Sequence, residues 1–169
     1  MATKVEQLYG QEHFDSAYFQ ALKEWLSTQK FKRGIEIGFA WGMSALAYLE
    51  TQDSNLISLD MEDNMQKSKG INEVFPGRWK LITGDSSTNL SKQENKFDYI
   101  YIDGDHTYGG CMADLQAAHP KLDKDGVIVC DDYGNPCGVK RAVDKFCKQY
   151  GYGIEHMPRN PNGGVILKK

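Results

Sequence analysis

Residues 33–38 read Arg-Gly-Ile-Glu-Ile-Gly, and they lead into the turn Gly38-Phe-Ala-Trp-Gly42, which has a small residue at every second position. A short apolar run that ends in glycine is typical of a buried strand leaving a sheet. The spacing of apolar residues predicts a helix over Met43 to Thr51, and Asn55-Leu-Ile-Ser-Leu-Asp60 is a second apolar run that stops on an acid. These segments predict a βαβ unit, in which the two strands lie parallel in one sheet.

Strand-like and helix-like segments continue to alternate on both sides of this unit. Further strands are predicted at Trp79 to Thr83, Lys96 to Ile102 and Gly126 to Cys130, and further helices at Phe14 to Gln29, Asn64 to Val74, Tyr108 to Leu122 and Val139 to Tyr150. Two short strands, Gly153 to Met157 and Val165 to Leu167, close the chain and indicate an antiparallel hairpin. We therefore expect a Rossmann-like, doubly wound α/β fold with a mainly parallel sheet and an antiparallel edge hairpin.

Length and composition fit one domain. A chain of 169 residues is close to the commonest domain size, and 40% of its residues are hydrophobic with no apolar run long enough to cross a bilayer. We expect a single domain over 1–169, made of a helical amino-terminal segment (1–30) and a ligand-binding core (31–169). Residues 1–13 are polar and lack the pattern of a secretory signal, which favours a cytoplasmic location and no membrane partner.

The net charge and the cysteines support neither a nucleic-acid-binding protein nor a zinc protein. A formal net charge of -3 supplies no large basic field, so binding to nucleic acid is unsupported. The cysteines at positions 111, 130, 137 and 147 form no Cys-x-x-Cys pair and no Cys/His spacing suited to zinc. We expect them to act as small apolar side chains.

Residues suited to binding an adenosine follow the first three strands of the predicted sheet. In an open α/β sheet, ligands bind beyond the carboxyl ends of the strands. The turn Gly38-Phe-Ala-Trp-Gly42 allows close approach of backbone to a ligand, although it is also consistent with a plain tight turn. Asp60 ends the second strand, where it can accept from ribose hydroxyls, and Asp85 follows the third, where it can accept from an adenine amino group or cap a helix. Since GxGxxG is absent, a nicotinamide dinucleotide is disfavoured.

Acidic side chains accumulate after the next two strands. Asp103-Gly-Asp105-His106 follows the fourth strand, and Asp131-Asp132 follows the fifth. Carboxylates this close repel one another unless a cation is present, and they suit Mg²⁺, Ca²⁺ or Mn²⁺; solvated or helix-capping acids are the alternative. His106 is a candidate general base beside these acids, because histidine changes charge near neutral pH, and a structural histidine is the other interpretation.

Taken together, these stretches resemble the class I S-adenosylmethionine-dependent methyltransferases over Arg33 to Phe146. The stretches that carry the resemblance are Glu36 to Ser44, Asp60, Gly84-Asp-Ser86, Phe97 to His106 and Gly126 to Tyr133. The chain is most similar to the branch with an Ile-Asp-Gly-Asp-His element, which includes macrocin- and mycinamicin-type sugar O-methyltransferases and the cephalosporin-hydroxylase-like group.

The resemblance implies a role for each matching residue. The implied contacts with S-adenosylmethionine are Gly38, Ala40 and Gly42 to its methionine part, Ser44 and Glu36 to its carboxylate and amino ends, Asp60 to the ribose, Asp85 and Ser86 to the adenine edge, and Asp103 between cofactor and metal. Asp131 and Asp132 would be the other ligands of a divalent metal such as Mg²⁺, and His106 would be the base. The implied reaction is methyl transfer to a hydroxyl of a small molecule.

The chain departs from the resembled family at the acceptor site. It is shorter than typical members, and the Pro158 to Gly164 connection is too small to form a substrate cap. The cap is therefore expected from Met1 to Lys30, from Gly134 to Gly138, or from another subunit of a homo-oligomer. The alternatives are a metal-independent or nitrogen-directed methyltransferase and a non-catalytic module that binds S-adenosylmethionine.

Overall fold

The computed structural model describes residues 16–134 and 138–169. The helices are α1 (Ala17–Ser27), α2 (Met43–Thr51), α3 (Met65–Val74), α4 (Ser86–Ser91), α5 (Tyr108–Ala118) and α6 (Val139–Tyr150), with a 3₁₀ turn at His119–Lys121. The strands are β1 (Arg33–Ile37), β2 (Asn55–Asp60), β3 (Trp79–Thr83), β4 (Phe97–Ile102), β5 (Leu122–Cys130), β6 (Gly153–His156) and β7 (Val165–Lys168).

The strands form one seven-stranded sheet in the order β3-β2-β1-β4-β5-β7-β6. Strands β1 to β5 pair in parallel, whereas β7 is antiparallel to both β5 and β6. The predicted α/β fold, with a mainly parallel sheet and an antiparallel edge hairpin, is confirmed. The β6–β7 hairpin folds back so that β7, and not β6, extends the sheet from β5.

Helices cover both faces of the sheet and enclose a core on each side. Helices α1, α2 and α3 contribute to one core, and α4, α5 and α6 contribute to the other. Helix α1 packs into the first of these cores, where its Phe19, Leu22 and Leu26 are completely buried. Among the described residues, none of the helices has the length and apolar character that crossing a bilayer requires.

Several element boundaries differ from the sequence prediction. The helix predicted to run through Leu122 ends at Ala118, because Pro120 has no N–H to continue the helical ladder, and a 3₁₀ turn follows. Strand β5 then begins at Leu122, four residues before the predicted start. The sequence predicts a helix cap at Asp85 but not the short helix α4 that follows it, because this polar segment has no apolar periodicity. The predicted start of α1 at Phe14 lies outside the described residues.

Candidate active site

A cleft of about 560 Å³ lies beyond the carboxyl ends of the strands. Its walls come from the ends of β1 to β4 and from one face of α5. The lining residues are Ile37, Gly38, Ala40, Leu59, Asp60, Met61, Gly84, Asp85, Ser86, Ser87, Asp103, Gly104, Asp105, Gly110, Ala113 and Asp114. The cleft thus brings together the predicted cofactor residues Gly38, Ala40, Asp60, Asp85, Ser86 and Asp103.

The turn after β1 requires glycine at its first position. Gly38 has φ +89, and a Cβ built there would lie 2.0 Å from the carbonyl oxygen of Asp103 at the end of β4. Ala40 and Gly42 also have positive φ values, +41 and +75. The backbone of β1 can therefore meet that of β4 only where position 38 has no side chain.

Asp60 holds this turn in place. Its Oδ2 accepts hydrogen bonds from the amides of Phe39 at 2.7 Å and Ala40 at 2.9 Å, while Oδ1 accepts from the amide of Glu62 at 3.0 Å. The carboxylate therefore joins the end of β2 to the turn after β1. This structural role adds to the ribose contact predicted from the sequence, which stays a prediction.

Glu36 and Ser44 lie beneath the turn and not among the residues that line the cleft. Glu36 is 1% exposed, and its Oε1 accepts a 2.5 Å hydrogen bond from the hydroxyl of Ser58, which in turn accepts from the indole N–H of Trp79. Burial raises the pKa of Glu36 to about 8, against the lowering effect of hydrogen bonds with Ser58 and Ser44. Glu36 is therefore largely protonated at neutral pH.

A Glu36→Gln substitution is expected to flatten the pH dependence of stability. With a pKa of about 8 in the folded protein and 4.5 as the ordinary value, Glu36 binds more protons when folded between those pH values. Protonated Glu36 therefore stabilises the fold fully below pH 4.5. The free energy of unfolding then falls as pH rises from 4.5 through 8, by up to about 1.4 kcal/mol per pH unit. Urea unfolding at several pH values should show a smaller slope for the variant, and an unchanged slope would contradict the assignment.

Asp85 and Ser86 occupy the far end of the cleft, at the start of α4. Oδ1 of Asp85 accepts from the amide of Thr88 at 2.7 Å and caps the helix, which is one of the two roles predicted for it. The hydroxyl of Ser86 donates at 2.7 Å to Oδ1 of Asp114, a 5% exposed residue of α5. Nothing in the sequence near Asp114 indicates that it reaches the cleft, because only the packing of α5 brings it there.

At the β4 and β5 ends, His106 lies between two carboxylates. Its Nε2 is 3.1 Å from Oδ1 of Asp103, and its Nδ1 is 3.2 Å from Oδ2 of Asp132. Ligand atoms of these residues all lie within 4.8 Å of one another. Burial, reinforced by the charge of Asp131 and opposed by that of His106, raises the pKa of Asp103 to about 7. The histidine and two of the predicted metal ligands thus form one cluster.

Asp131, the third predicted metal ligand, points into the protein. It is 4% exposed, and its carboxylate accepts hydrogen bonds from the hydroxyl of Tyr101 at 3.1 Å and the amide group of Asn160 at 3.4 Å. The hydroxyl of Tyr101 also lies 2.5 Å from that of Tyr18 in α1. Asp132 has φ +55, so the two consecutive acids project differently, and Asp132 alone of the pair contacts His106. Neither tyrosine was singled out from the sequence.

The fold is similar to several solved methyltransferase structures. One is the methyltransferase PaMTH1 of Podospora anserina bound to S-adenosylhomocysteine, which is 21% identical, with 99% of this chain and 88% of that chain covered and a TM-score of 0.77. Another is the Bacillus cereus O-methyltransferase in complex with S-adenosylhomocysteine, with 16% identity, 100% and 92% coverage and a TM-score of 0.76. A third is the O-methyltransferase TomG of Streptomyces achromogenes, in complex with S-adenosylmethionine, with 14% identity, 99% and 89% coverage and a TM-score of 0.74. At these identities the likeness shows the fold.

The family comparison covers the region that builds the cleft. No curated protein matches the chain. The family model described as a methyltransferase domain matches residues 35–133, more than half of the chain. That range contains β1, the glycine turn, and the carboxyl ends of β2 to β5. The chain belongs to the methyltransferase domain family, and it is a class I S-adenosylmethionine-dependent methyltransferase.

Proposed function

We propose that this enzyme transfers the methyl group of S-adenosylmethionine to a hydroxyl of a small molecule with the help of a divalent metal. The observation that carries the proposal is the cluster of Asp103, His106 and Asp132 beside the cleft. A hydroxyl is a weak nucleophile until its proton is removed, and this cluster offers both a base and carboxylates suited to a cation. The B. cereus and S. achromogenes neighbours are both O-methyltransferases, which agrees with this acceptor chemistry.

The cleft suits the cofactor in volume and in polar groups. S-adenosylmethionine supplies a sulfonium-bound methyl group that is open to in-line attack by a nucleophile. Gly38 and Ala40 present backbone at the β1 end of the cleft, and Asp60 presents a carboxylate at the β2 end. Asp103 lies between the cleft and the cluster, since it belongs to both. The acidic lining suits a ligand that carries positive charge on its sulfur and its amino group.

The donor set also fits a divalent metal. The carboxylate oxygens of Asp103 and Asp132 can share one cation, since ligand atoms of these two residues and of His106 all lie within 4.8 Å of one another. The sequence resemblance proposes Asp131 as a further ligand. To bind the metal, its carboxylate would have to give up its hydrogen bonds with Tyr101 and Asn160. Bound there, a metal such as Mg²⁺ would polarise the acceptor hydroxyl and stabilise its oxyanion.

His106 is proposed as the general base. Its imidazole is 43% exposed, so an acceptor hydroxyl has access to it. The nitrogen that carries a proton would donate to its carboxylate and orient the ring, and the other nitrogen would turn from its carboxylate to the acceptor hydroxyl and take its proton. Asp103 and Asp132, 3.1 and 3.2 Å from the two nitrogens, would stabilise the positive charge that the ring gains. Positioning of the hydroxyl and the methyl group in one line supplies the rest of the acceleration.

One observation favours a second candidate, transfer without metal. Both imidazole nitrogens already face a carboxylate, so a protonated His106 can itself neutralise the pair Asp103 and Asp132. In that case the histidine replaces the cation that the acids would otherwise need. The two candidates differ in what a chelator does to turnover.

Methyl transfer is expected to stop when divalent metal is removed. The measurement is release of S-adenosylhomocysteine with a panel of small phenols, catechols and sugars, in Mg²⁺ and in excess chelator. Because the metal would act on the acceptor, chelation should leave the thermal stabilisation by S-adenosylhomocysteine unchanged. Chelator-insensitive turnover would select the metal-independent reaction. Tight binding of S-adenosylmethionine without turnover on any acceptor would instead indicate a non-catalytic module.

The acceptor pocket and the oligomeric state are proposed from the same reasoning. We infer that the cap over the acceptor comes from the amino-terminal segment, from residues 134–138, or from a second copy of the chain. Helix α1 supports the first source, because its Tyr18 contacts Tyr101, which donates to Asp131 beside the cluster. Residues 1–15 and 135–137 lie outside the described part of the chain.

A further inference from the structure

Asp114 is a buried carboxylate with one unused oxygen at the wall of the cleft. Its Oδ1 accepts from Ser86, while the hydrogen bonds among the described residues leave Oδ2 without a donor. A Cβ built on Gly104 would lie 2.9 Å from Oδ2, which places this oxygen beside another residue that lines the cleft. Oδ2 is not fully buried and is open to the cleft, where a ligand can donate a hydrogen bond to it.

Asp85 and Asp105, the other acids at this end of the cleft, already accept hydrogen bonds and are exposed to solvent. Asp85 caps α4 through Thr88, and Asp105 accepts from the amide of Thr107 through Oδ1 and from its hydroxyl through Oδ2. Water can supply further donors to both carboxylates, because both lie in the solvent-exposed rim. Asp114 is only 5% exposed, so water competes less with a ligand for its Oδ2 than at the other two carboxylates. Burial also raises the pKa of Asp114, against the lowering effect of the Ser86 hydrogen bond.

The surroundings of Asp114 suit a flat heterocyclic ring such as a purine. Helix α5 presents Gly110 and Ala113 to the cleft, and these small residues leave a shallow wall. Gly110 cannot be larger, since a Cβ there would lie 2.3 Å from the Asp105 carboxylate. If the glycine turn at the opposite end holds the methionine part, the adenine of the cofactor would lie against this wall and next to Ser86.

We propose that Asp114 recognises the exocyclic amino group of the adenine by accepting a hydrogen bond at Oδ2, with Ser86 fixing the carboxylate through Oδ1. The inference rests on the proposed function, and it assigns to Asp114 the contact that the sequence suggested for Asp85. Asp114 is then a specificity-determining residue of the cofactor site. It selects a base that carries an amino donor.

The test compares two ligands and two residues. Calorimetry measures the dissociation constants of S-adenosylhomocysteine and of its analogue with unsubstituted purine, which lacks only the amino group. The wild-type protein should bind the analogue about 10-fold or more weakly, the usual loss for an unpaired group facing a charged partner. Asp114→Ala should weaken S-adenosylhomocysteine similarly and bind both ligands about equally. Asp85→Ala should keep the wild-type ratio, as should the matched control Asp125→Ala at an 85% exposed site far from the cleft.

Each outcome separates this inference from the function on which it rests. If wild-type protein binds neither ligand, the proposed function fails. If it binds both equally, no residue reads the amino group and the inference is wrong, whether or not Asp114→Ala folds. If the ratio survives in Asp114→Ala and is lost in Asp85→Ala, the acceptor is Asp85.

Discussion

Replacing His106 by alanine is expected to lower the turnover number about 100-fold or more at neutral pH. The reason is that the variant loses the group proposed to take the acceptor proton, and a positioned general base contributes about this factor. The imidazole is also held from both sides, by Asp103 and Asp132, so the substitution removes a base that is fixed in position. The loss should shrink at high pH, where a hydroxyl ionises without help.

The matched control is His119→Ala. His119 packs its ring 4.5 Å from that of Tyr150, and its Nδ1 lies 2.9 Å from the hydroxyl of Tyr152, far from the cleft. Its removal should lower the melting temperature and leave the turnover of the folded fraction unchanged. A His106→Ala enzyme with full activity, measured as initial rates against pH, would show that His106 is not the base.

Replacing Gly38 by alanine is expected to remove about 3 kcal/mol or more from the free energy of unfolding and to abolish binding of S-adenosylhomocysteine. The added Cβ would lie 2.0 Å from the Asp103 carbonyl oxygen, and alanine would also have to adopt φ +89. Gly38 and Asp103 directly follow the paired strands β1 and β4, so neither backbone can move without disturbing that pairing. Urea unfolding and calorimetry measure the two effects.

Gly77→Ala separates the two causes of that loss. Gly77 has φ +75, similar to that of Gly38, but a Cβ there meets nothing within 4 Å. Its replacement should therefore cost only the backbone strain, about 1–2 kcal/mol. Equal losses in the two variants would mean that the close approach of β1 to β4 is not what requires glycine at position 38.

Local sequence patterns were sufficient to predict the α/β class and most strands. The apolar runs at β1, β2 and β4 end at Gly38, Asp60 and Asp103, and the parallel sheet brings those ends to one edge. The glycine turn and Asp60 were likewise recognisable, because close backbone approach and strand-end acids leave a local signature. The roles of these residues toward the cofactor stay predictions.

Contacts between distant segments were not predictable in this way. Asp114 and Ser86 are 28 residues apart and meet through the packing of α5 against α4. Tyr18 and Tyr101 are 83 residues apart and meet through the packing of α1 on β4. The placement of β7 between β5 and β6 has the same origin. No periodicity in one segment encodes which neighbour it will meet.

The sequence by itself determined the order of elements, the strand ends and the acids that follow them, since apolar periodicity and turn residues act locally. Only the tertiary structure decided how those acids are used. Asp131 and Asp132 are adjacent in sequence, yet Asp131 turns to Tyr101 and Asn160 inside the protein while Asp132 faces His106. The cause is the left-handed backbone of Asp132 at the end of β5, together with hydrogen-bond partners that come from a different strand and from the β6–β7 hairpin.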